Sequence, residues 1–455
     1  MILNGMDVAR FNFSHGGPGL QAEHIATLRS VSADLRSPVA ILQDLQGPKI
    51  RTGNIVGGSI ELVEEQRFIL TTRPVGGDET EVSTTYAALP RDCRKGDQIL
   101  LDDGYIQLEV EDVTDTDVLC IVTDGGTLKP NKGINLPGVQ VSAPAMSEKD
   151  RHDVAWGFAN GIDFVALSFV RRADEVLELK RMAQEAGAHT QIIAKLEKPE
   201  ALENLDAIIE AADGVMVARG DLGVEMAPEE VPLLQKRIIN AANKAGKFVI
   251  TATQMLESMT HAQRPTRAEV SDVANAVLDG TDAVMLSGET ASGDYPIETL
   301  QMMGRIVKEV EEGTDSNWAA NRVLGRSSAP DFTDAVCESA AHAAASLGAQ
   351  AIVCFTESGG TARRLASFRP PVPILALTPH ENVLRQLKVV WGLEPELVER
   401  SKETDEMIIL ADSYLEQRGR VAKGDIVVFT LGAPVALRGS TNLLKLHRIG
   451  ETHTV

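Results

Sequence analysis

The chain has 455 residues, too many for one ordinary domain, and its 43% apolar content is ample for several cores. A formal charge of −21 excludes general binding to nucleic acid or to an anionic membrane, because a mostly negative surface repels both. Four scattered cysteines, Cys93, Cys120, Cys337 and Cys354, lack metal-ligand spacing and fit a reducing compartment; with no signal peptide and no apolar run of spanning length, a cytoplasmic location is expected.

Strand-like apolar runs recur with helical segments between them: Val8 to Ser14, Val39 to Leu45, Ile162 to Phe169, Gln191 to Glu197, Gly214 to Arg219, Phe248 to Thr253 and Ala283 to Ser287. This alternation predicts parallel βα units, and seven are visible where a closed parallel barrel has eight. From Gly47 to about Pro144 the composition changes to short strands such as Ser59 to Leu62 and Gln98 to Leu101, with Asp103-Gly104 as a hairpin turn. A small all-β domain inserted into the barrel is expected there. Ser147 is placed to N-cap the helix that returns the chain to the barrel, and Thr266 with Glu269 forms a capping box for a helix that Gly280 ends. From Asp315 to Asp331 the sequence turns polar and irregular, which predicts a linker. Beyond it, an Ala-rich helix from Thr333 to Leu347 and the strands AIVCF, PILAL and DIVVFT predict a second, smaller α/β domain. The expected division is barrel 1–46, inserted β-barrel lid 47–144, barrel 145–325 and C-terminal α/β domain 326–455.

In Arg10-Phe11-Asn12-Phe13-Ser14-His15 the polar residues Arg10, Asn12 and Ser14 alternate with two phenylalanines and so share one strand face. A purely structural barrel strand is apolar on both faces, so this polar face is expected to line the barrel mouth. Lys195 and Glu197 share one face at the end of their run, and Arg219-Gly220-Asp221 ends the next. Chemistry in parallel α/β folds sits at that end of the strands. A structural ion pair at the rim is the bland reading of Lys195 and Glu197. Against it, Glu197 and Asp221 are two carboxylates with few other protein ligands, a set that suits magnesium, and a neighbouring lysine would then face a phosphate. Thr356-Glu357-Ser358-Gly359-Gly360-Thr361 lies between a strand and a helix, a candidate phosphate nest with Arg438-Gly439-Ser440-Thr441-Asn442 as a second contact. An ordinary βα loop is the alternative.

The segments ARFNFSHG, AKLEKPEALENLD, VMVARGDLGVE, ITATQMLESM and RPTRAEVSDVANAVLDGTDAVMLSGET, in that order and nearly end to end, closely resemble pyruvate kinase. Pyruvate kinases begin with a strand and helix upstream of this start, so the chain is expected to lack the first βα unit, unless the true protein starts earlier. The resemblance implies transfer of the phosphoryl group of phosphoenolpyruvate to ADP, giving pyruvate and ATP, the last step of glycolysis. It implies Mg2+ or Mn2+ on Glu197 and Asp221, with Lys195 and Arg10 neutralising the moving phosphoryl group. Gly220 and Asp221 would bind the substrate carboxylate through their amides, and Thr253 would help protonate the enolate. Thr251 reads as a core threonine, and Ser168 and Arg171 as supporting residues. Arg51, Lys132, His15 and Asn12 match nucleotide contacts, His15 beside the base; a surface histidine in a loop is the alternative for His15.

Family members that need a monovalent cation hold it with residues matching Asn12, Ser14 and Asp44 and with a threonine carbonyl. Here Leu45 replaces that threonine and Lys49 stands where those members carry glutamate. The Lys49 ammonium is therefore expected to fill the potassium position, and K+ not to be required. Thr356, Ser358, Gly359 and Thr361 match an effector pocket for a sugar phosphate or nucleotide monophosphate, and the family implies a homotetramer. A metal-dependent enolate lyase on the same barrel would need neither the lid nor the lysine beside the metal. An inactive subunit that only binds effector or assembles is the remaining alternative.

Overall fold

The computed structural model describes residues 1–14, 18–313, 331–400, 403–433 and 441–451. His15, nearly all of the expected linker, and Arg438, Gly439 and Ser440 lie outside the described residues. Seven parallel strands form one curled sheet: β1 (Val8–Asn12), β2 (Ala40–Asp44), β3 (Phe164–Leu167), β4 (Gln191–Leu196), β5 (Gly214–Ala218), β6 (Phe248–Ala252) and β7 (Ala283–Val284), in that spatial order. They coincide with the seven runs expected, except that β7 is two residues long where five were expected. β2, β5 and β6 are buried along their whole length, as continuous apolar strands covered on both faces should be.

The two faces of the sheet follow the strand period of two. Ile41, Val165, Leu167, Ile192, Ala194, Val215, Val217 and Val249 pack under the surrounding helices, whereas Leu42, Phe164, Ala166, Ile193, Met216 and Ile250 point inward. Followed toward the strand ends, the inward set turns polar, giving Asp44 after Leu42, Ser168 after Ala166, and Lys195 and Glu197 after Ile193. A dry interior therefore carries its ionisable groups at one rim. The returning helix Glu148–Ala159 is capped by Ser147, with Asp150 closing the capping box, and Thr266 and Glu269 do the same for Arg267–Asp279, which ends on left-handed Gly280.

At the opposite rim an aspartate precedes every second strand from β3. The carboxylates of Asp163, Asp213 and Asp282 accept from the amides of Ile41, Ile192 and Val249 at 2.9, 2.8 and 2.9 Å. The aspartate amides donate back to those same residues' carbonyls. Each remaining oxygen meets a cation: Arg385 at 2.9 Å, Lys180 at 2.9 Å and Arg369 at 3.0 Å. Two of the three cations come from the C-terminal part of the chain, Arg385 on the helix Glu381–Gln386 and Arg369 in the loop before β9, so the staples that tie neighbouring barrel strands also dock that part of the chain beneath the barrel.

Between β2 and β3 the chain builds a six-stranded sheet, ordered 134–135, 98–101, 106–113, 117–124, 67–71, 81–83, around a core of its own. The pairing of 98–101 with 106–113 is antiparallel, and its turn uses positive φ at Asp102, Asp103 and Gly104. The C-terminal sheet runs β10 (Leu393–Leu397), β9 (Ile374–Thr378), β8 (Ala351–Phe355), β11 (Ile426–Leu431), β12 (Leu443–Arg448), with only β12 antiparallel. Its three central strands are the predicted ones. The helix before β8 spans Phe332–Leu347.

Candidate active site

Lys195 is the centre of the polar rim. Its ammonium donates to Ser168 Oγ at 2.8 Å and lies 2.9 Å from Glu197 Oε1 and 3.3 Å from Asp44 Oδ1. Ser168 in turn donates to the Leu45 carbonyl at 2.8 Å, so the hydroxyl orients the lysine with its lone pair while anchored by its proton. The other Asp44 oxygen accepts from Arg10 Nε at 2.6 Å. Gly47 makes room for this corner: its φ is +68°, and a Cβ there would meet Ser168 and Phe169 at 2.9 Å.

Burial alone would lower the Lys195 pKa, but Asp44 and Glu197 outweigh it and hold the ammonium far above its ordinary range. Burial likewise pushes Asp44 up, and Lys195 with Arg10 more than reverse this, leaving Asp44 below the usual carboxylate value. Glu197 fares differently. It is completely buried, shares Lys195 with Asp44, and feels the negative charge of Asp221, so its pKa rises to about 7.

Glu197 Oε2 accepts from the Phe169 amide at 2.7 Å, but Oε1, like Asp44 Oδ1, accepts no aligned hydrogen bond despite the nearby ammonium. A buried anionic oxygen left in that state fits a cation ligand. Asp221, the third residue of the short helix Arg219–Glu225, supplies a second, partly exposed carboxylate. Among the described residues no cluster of three or more His, Cys, Asp or Glu ligands exists, but magnesium needs only one or two carboxylates when waters and substrate oxygens complete its shell. The donor set fits that ion.

Several of the expected site residues engage partners within the chain. Lys49 meets Asp221 Oδ1 at 3.9 Å and makes no ion pair with Asp44, whose oxygens are occupied by Arg10 and Lys195. The Asn12 side-chain oxygen accepts from the Ser14 amide at 2.9 Å. The Lys49 ammonium thus meets Asp221 and not the Asp44 carboxylate. The Gly220 amide, expected to bind a carboxylate, donates to Thr253 Oγ1 at 2.7 Å, and that hydroxyl donates to the Ala252 carbonyl at 2.6 Å. Thr251, fully buried, pairs with Thr281 at 2.9 Å.

Arg51 and Lys132, far apart in sequence, are brought onto adjoining segments. Arg51 bridges to Gly133 and donates to the Asn131 carbonyl at 2.9 Å, and Lys132 pairs with Asp102 at 2.8 Å. Sequence reasoning missed the contact that joins the inserted sheet to the site: Asn135 donates to Glu225 Oε1 at 2.8 Å, and Lys198 meets the same oxygen at 2.5 Å. Glu225 lies one helical turn beyond Asp221, and Lys198 follows Glu197; the charged ends of the motifs were the only signal. In the C-terminal sheet, the Gly359 amide donates to Thr356 Oγ1 at 2.9 Å, and Thr361 and Thr441 share a hydroxyl contact at 2.5 Å. The Ser358 carbonyl accepts from Arg363 at 3.1 Å. Glu357 beside them is paired with His380 at 2.9 Å and with Arg400 at 3.1 Å.

A curled parallel sheet with a lysine and carboxylates at the C-terminal ends of its strands defines an α/β-barrel enzyme whose site handles anionic oxygens. Residues 1–300 match the pyruvate kinase barrel domain and residues 334–447 the pyruvate kinase alpha/beta domain. A pyruvate kinase of Geobacillus stearothermophilus is 48% identical over 450 residues, covering 98% of this chain and 76% of that protein. One from Sporosarcina psychrophila is 44% identical over 454 residues, covering 99% and 77%. A crystal structure of a pyruvate kinase from Cryptosporidium parvum superimposes with a TM-score of 0.93 at 36% identity, covering 98% of this chain and 92% of that one. The chain belongs to the pyruvate kinase family. It is a phosphotransferase of glycolysis acting between phosphoenolpyruvate and ADP, with magnesium as the family's metal. No helix among the described residues is long and apolar enough to cross a membrane.

Proposed function

We propose that phosphoryl transfer takes place at the rim formed by Arg10, Lys195, Glu197, Asp221 and Thr253. The observation that carries this reading is the Lys195 ammonium, wedged between Asp44 and Glu197 and held by Ser168. A cation fixed in this way stays charged throughout turnover, so it acts as an electrostatic partner for the phosphoryl oxygens and not as a proton donor. Magnesium on Glu197 and Asp221, when bound, adds charge neutralisation at substrate oxygens. A terminal oxygen of ADP forms the new bond to phosphorus as the bond to the enol oxygen of phosphoenolpyruvate breaks. Lys195 balances the negative charge left on that oxygen, and Arg10 faces the moving group. Thr253 stands on the side where the enolate carbon takes its proton to become the methyl group of pyruvate.

Lys49 brings a permanent positive charge to Asp221, while the Asn12 and Asp44 oxygens are already engaged, and both features support turnover without potassium. Arg51, Lys132 and Asn12 would contact the nucleotide, with His15 beside the base. The loop Thr356, Ser358, Gly359, Thr361 would hold an anionic effector, a sugar phosphate or nucleotide monophosphate. A homotetramer in the cytoplasm and the division at 46/47, 144/145 and 325/326 complete the reading. The test is pyruvate formation by the purified chain in sodium buffer free of potassium. Magnesium- and ADP-dependent turnover that potassium leaves within about twofold is expected. Pyruvate without ADP would point to lyase chemistry, silence in both buffers to an inactive subunit, and strong potassium activation would refute the role given to Lys49.

A further inference from the structure

Thr253 has φ +70° and Gln254 φ +55°. For a β-branched residue this left-handed backbone is a true outlier, one that persists only where surrounding structure over-determines it. Its consequence is geometric. Thr251 and Thr253 have the parity of Val249, whose side chain lies on the helix side of the sheet, so a β6 continued in extended form would turn the Thr253 hydroxyl away from the rim. The left-handed turn instead brings it to the Gly220 amide, next to Asp221.

One side chain spans the whole turn. Arg219, the first residue after β5, donates Nε to the Ala252 carbonyl at 3.2 Å and Nη2 to the Thr253 carbonyl at 2.6 Å. Those two carbonyls belong to the peptide planes on either side of Thr253, and the rotation between these planes is the φ and ψ of Thr253 itself. The guanidinium is a rigid planar fork, so holding both carbonyls fixes the angle between them. Nη1 is anchored to Asp272 on the helix Arg267–Asp279 at 2.7 Å, and the Arg219 side chain is only 10% exposed. Arg219 is also the immediate neighbour of Gly220, so the segment carrying Asp221 and the one carrying Thr253 are tied at both ends of a small ring of contacts.

We propose that Arg219 is a positioning residue for phosphoryl transfer, the clamp that keeps Thr253 left-handed and its hydroxyl at the rim. The inference rests on the reading of Thr253 as a substrate-side group. The experiment is a double-mutant cycle on kcat and KM with Arg219→Met, Thr253→Ala and the pair, alongside Arg219→Lys and Asp272→Asn. Misplacing a reacting group by about 1 Å costs on the order of 100-fold, so Arg219→Met is expected to lower kcat about 10- to 100-fold with KM for ADP within about threefold. Acting through Thr253, it should add nothing to Thr253→Ala in the double variant. Arg219→Lys, which can reach one carbonyl but not both, should fall between. Losses that multiply in the double variant, or an Arg219→Met enzyme with full kcat beside an impaired Thr253→Ala, overturn the clamp alone. Thr253→Ala with full kcat removes the reading of Thr253 and the clamp with it. Should Arg219→Met not fold, the same cycle is run with Arg219→Lys and with Asp272→Asn, and multiplying losses there overturn the proposal equally.

Discussion

Lys195→Met gives the sharpest view of what holds the rim together. Methionine keeps most of the side-chain volume and removes the charge from between two carboxylates that are 2% and 0% exposed. Asp44 keeps Arg10, but Glu197 keeps only the Phe169 amide. Breaking a buried pair from one side costs about 3–5 kcal/mol, because the partner charge stays behind uncompensated. The pH dependence follows from Glu197. Its pKa is already about 7 against an ordinary 4.5, and without Lys195 it rises further. A carboxyl raised in the folded state favours folding fully below its unfolded value and loses that contribution as pH climbs through the folded one. The deficit of the variant should therefore be largest near pH 8.5 and shrink by up to about 2 kcal/mol near pH 5.5, where Glu197 is protonated in the variant and in the parent. Equilibrium urea unfolding of both proteins across this range measures it, and Glu197→Gln in the Lys195→Met background should recover much of the loss at high pH. A deficit below about 1 kcal/mol at pH 8.5, or one that ignores pH, would refute the view that Lys195 neutralises this cluster.

Divalent-cation affinity of the free protein should rise with pH through about 7, as Glu197 loses its proton, and level off above; Asp221→Asn removes one of the causes that raise Glu197, so isothermal titration should show the dependence moved to lower pH. Lys49→Met removes a partly exposed contact at 3.9 Å and should change stability by less than about 1 kcal/mol, yet turnover in potassium-free buffer should fall, and with the Asn12 and Asp44 oxygens engaged added potassium should not restore it. Arg369→Met strands the buried Asp282 staple and removes a guanidinium stacked 4.7 Å from the Trp391 ring, so a loss of about 3 kcal/mol is expected by urea unfolding. Thr266→Ala deletes a capping box and should cost about 1 kcal/mol in the same measurement, without a change in KM.

The barrel strands were legible because a parallel sheet covered on both faces demands continuous apolar runs, and such runs stand out against helical periodicity. β10 and β12 were not. Each lies at the edge of the C-terminal sheet, β10 carries Pro395 between two glutamates, and β12 mixes Lys445, His447 and Arg448 with leucines, so neither shows a buried run. The aspartate staples left a pattern, Asp-Phe-Val, Asp-Gly-Val and Asp-Ala-Val at positions 163, 213 and 282, but its meaning depends on which amide faces each carboxylate, which only the register supplies. The destination of Lys49 was hidden for a similar reason. A motif states which charge is present, and the direction of a long flexible side chain is decided by which carboxylates already have partners.

Partner competition also explains why the rim needs Asp44, which reads at first as one carboxylate too many. Arg10 and Lys195 approach the same site, and two cations brought together with nothing between them repel each other at a cost that rises steeply once water is excluded. Asp44 gives one oxygen to each, at 2.6 and 3.3 Å, and stays ionised because both cations hold its pKa down. Glu197 Oε1 and Asp44 Oδ1, which share Lys195, both lack an aligned hydrogen bond, but Asp44 has Arg10 as a second cation and Glu197 has Lys195 alone. The same arithmetic of partners that pins the two cations in place therefore leaves Glu197 as the carboxylate with a single cation and negative charge to offer a metal, at the end of the strands where the inner face of the barrel has just turned from apolar to charged.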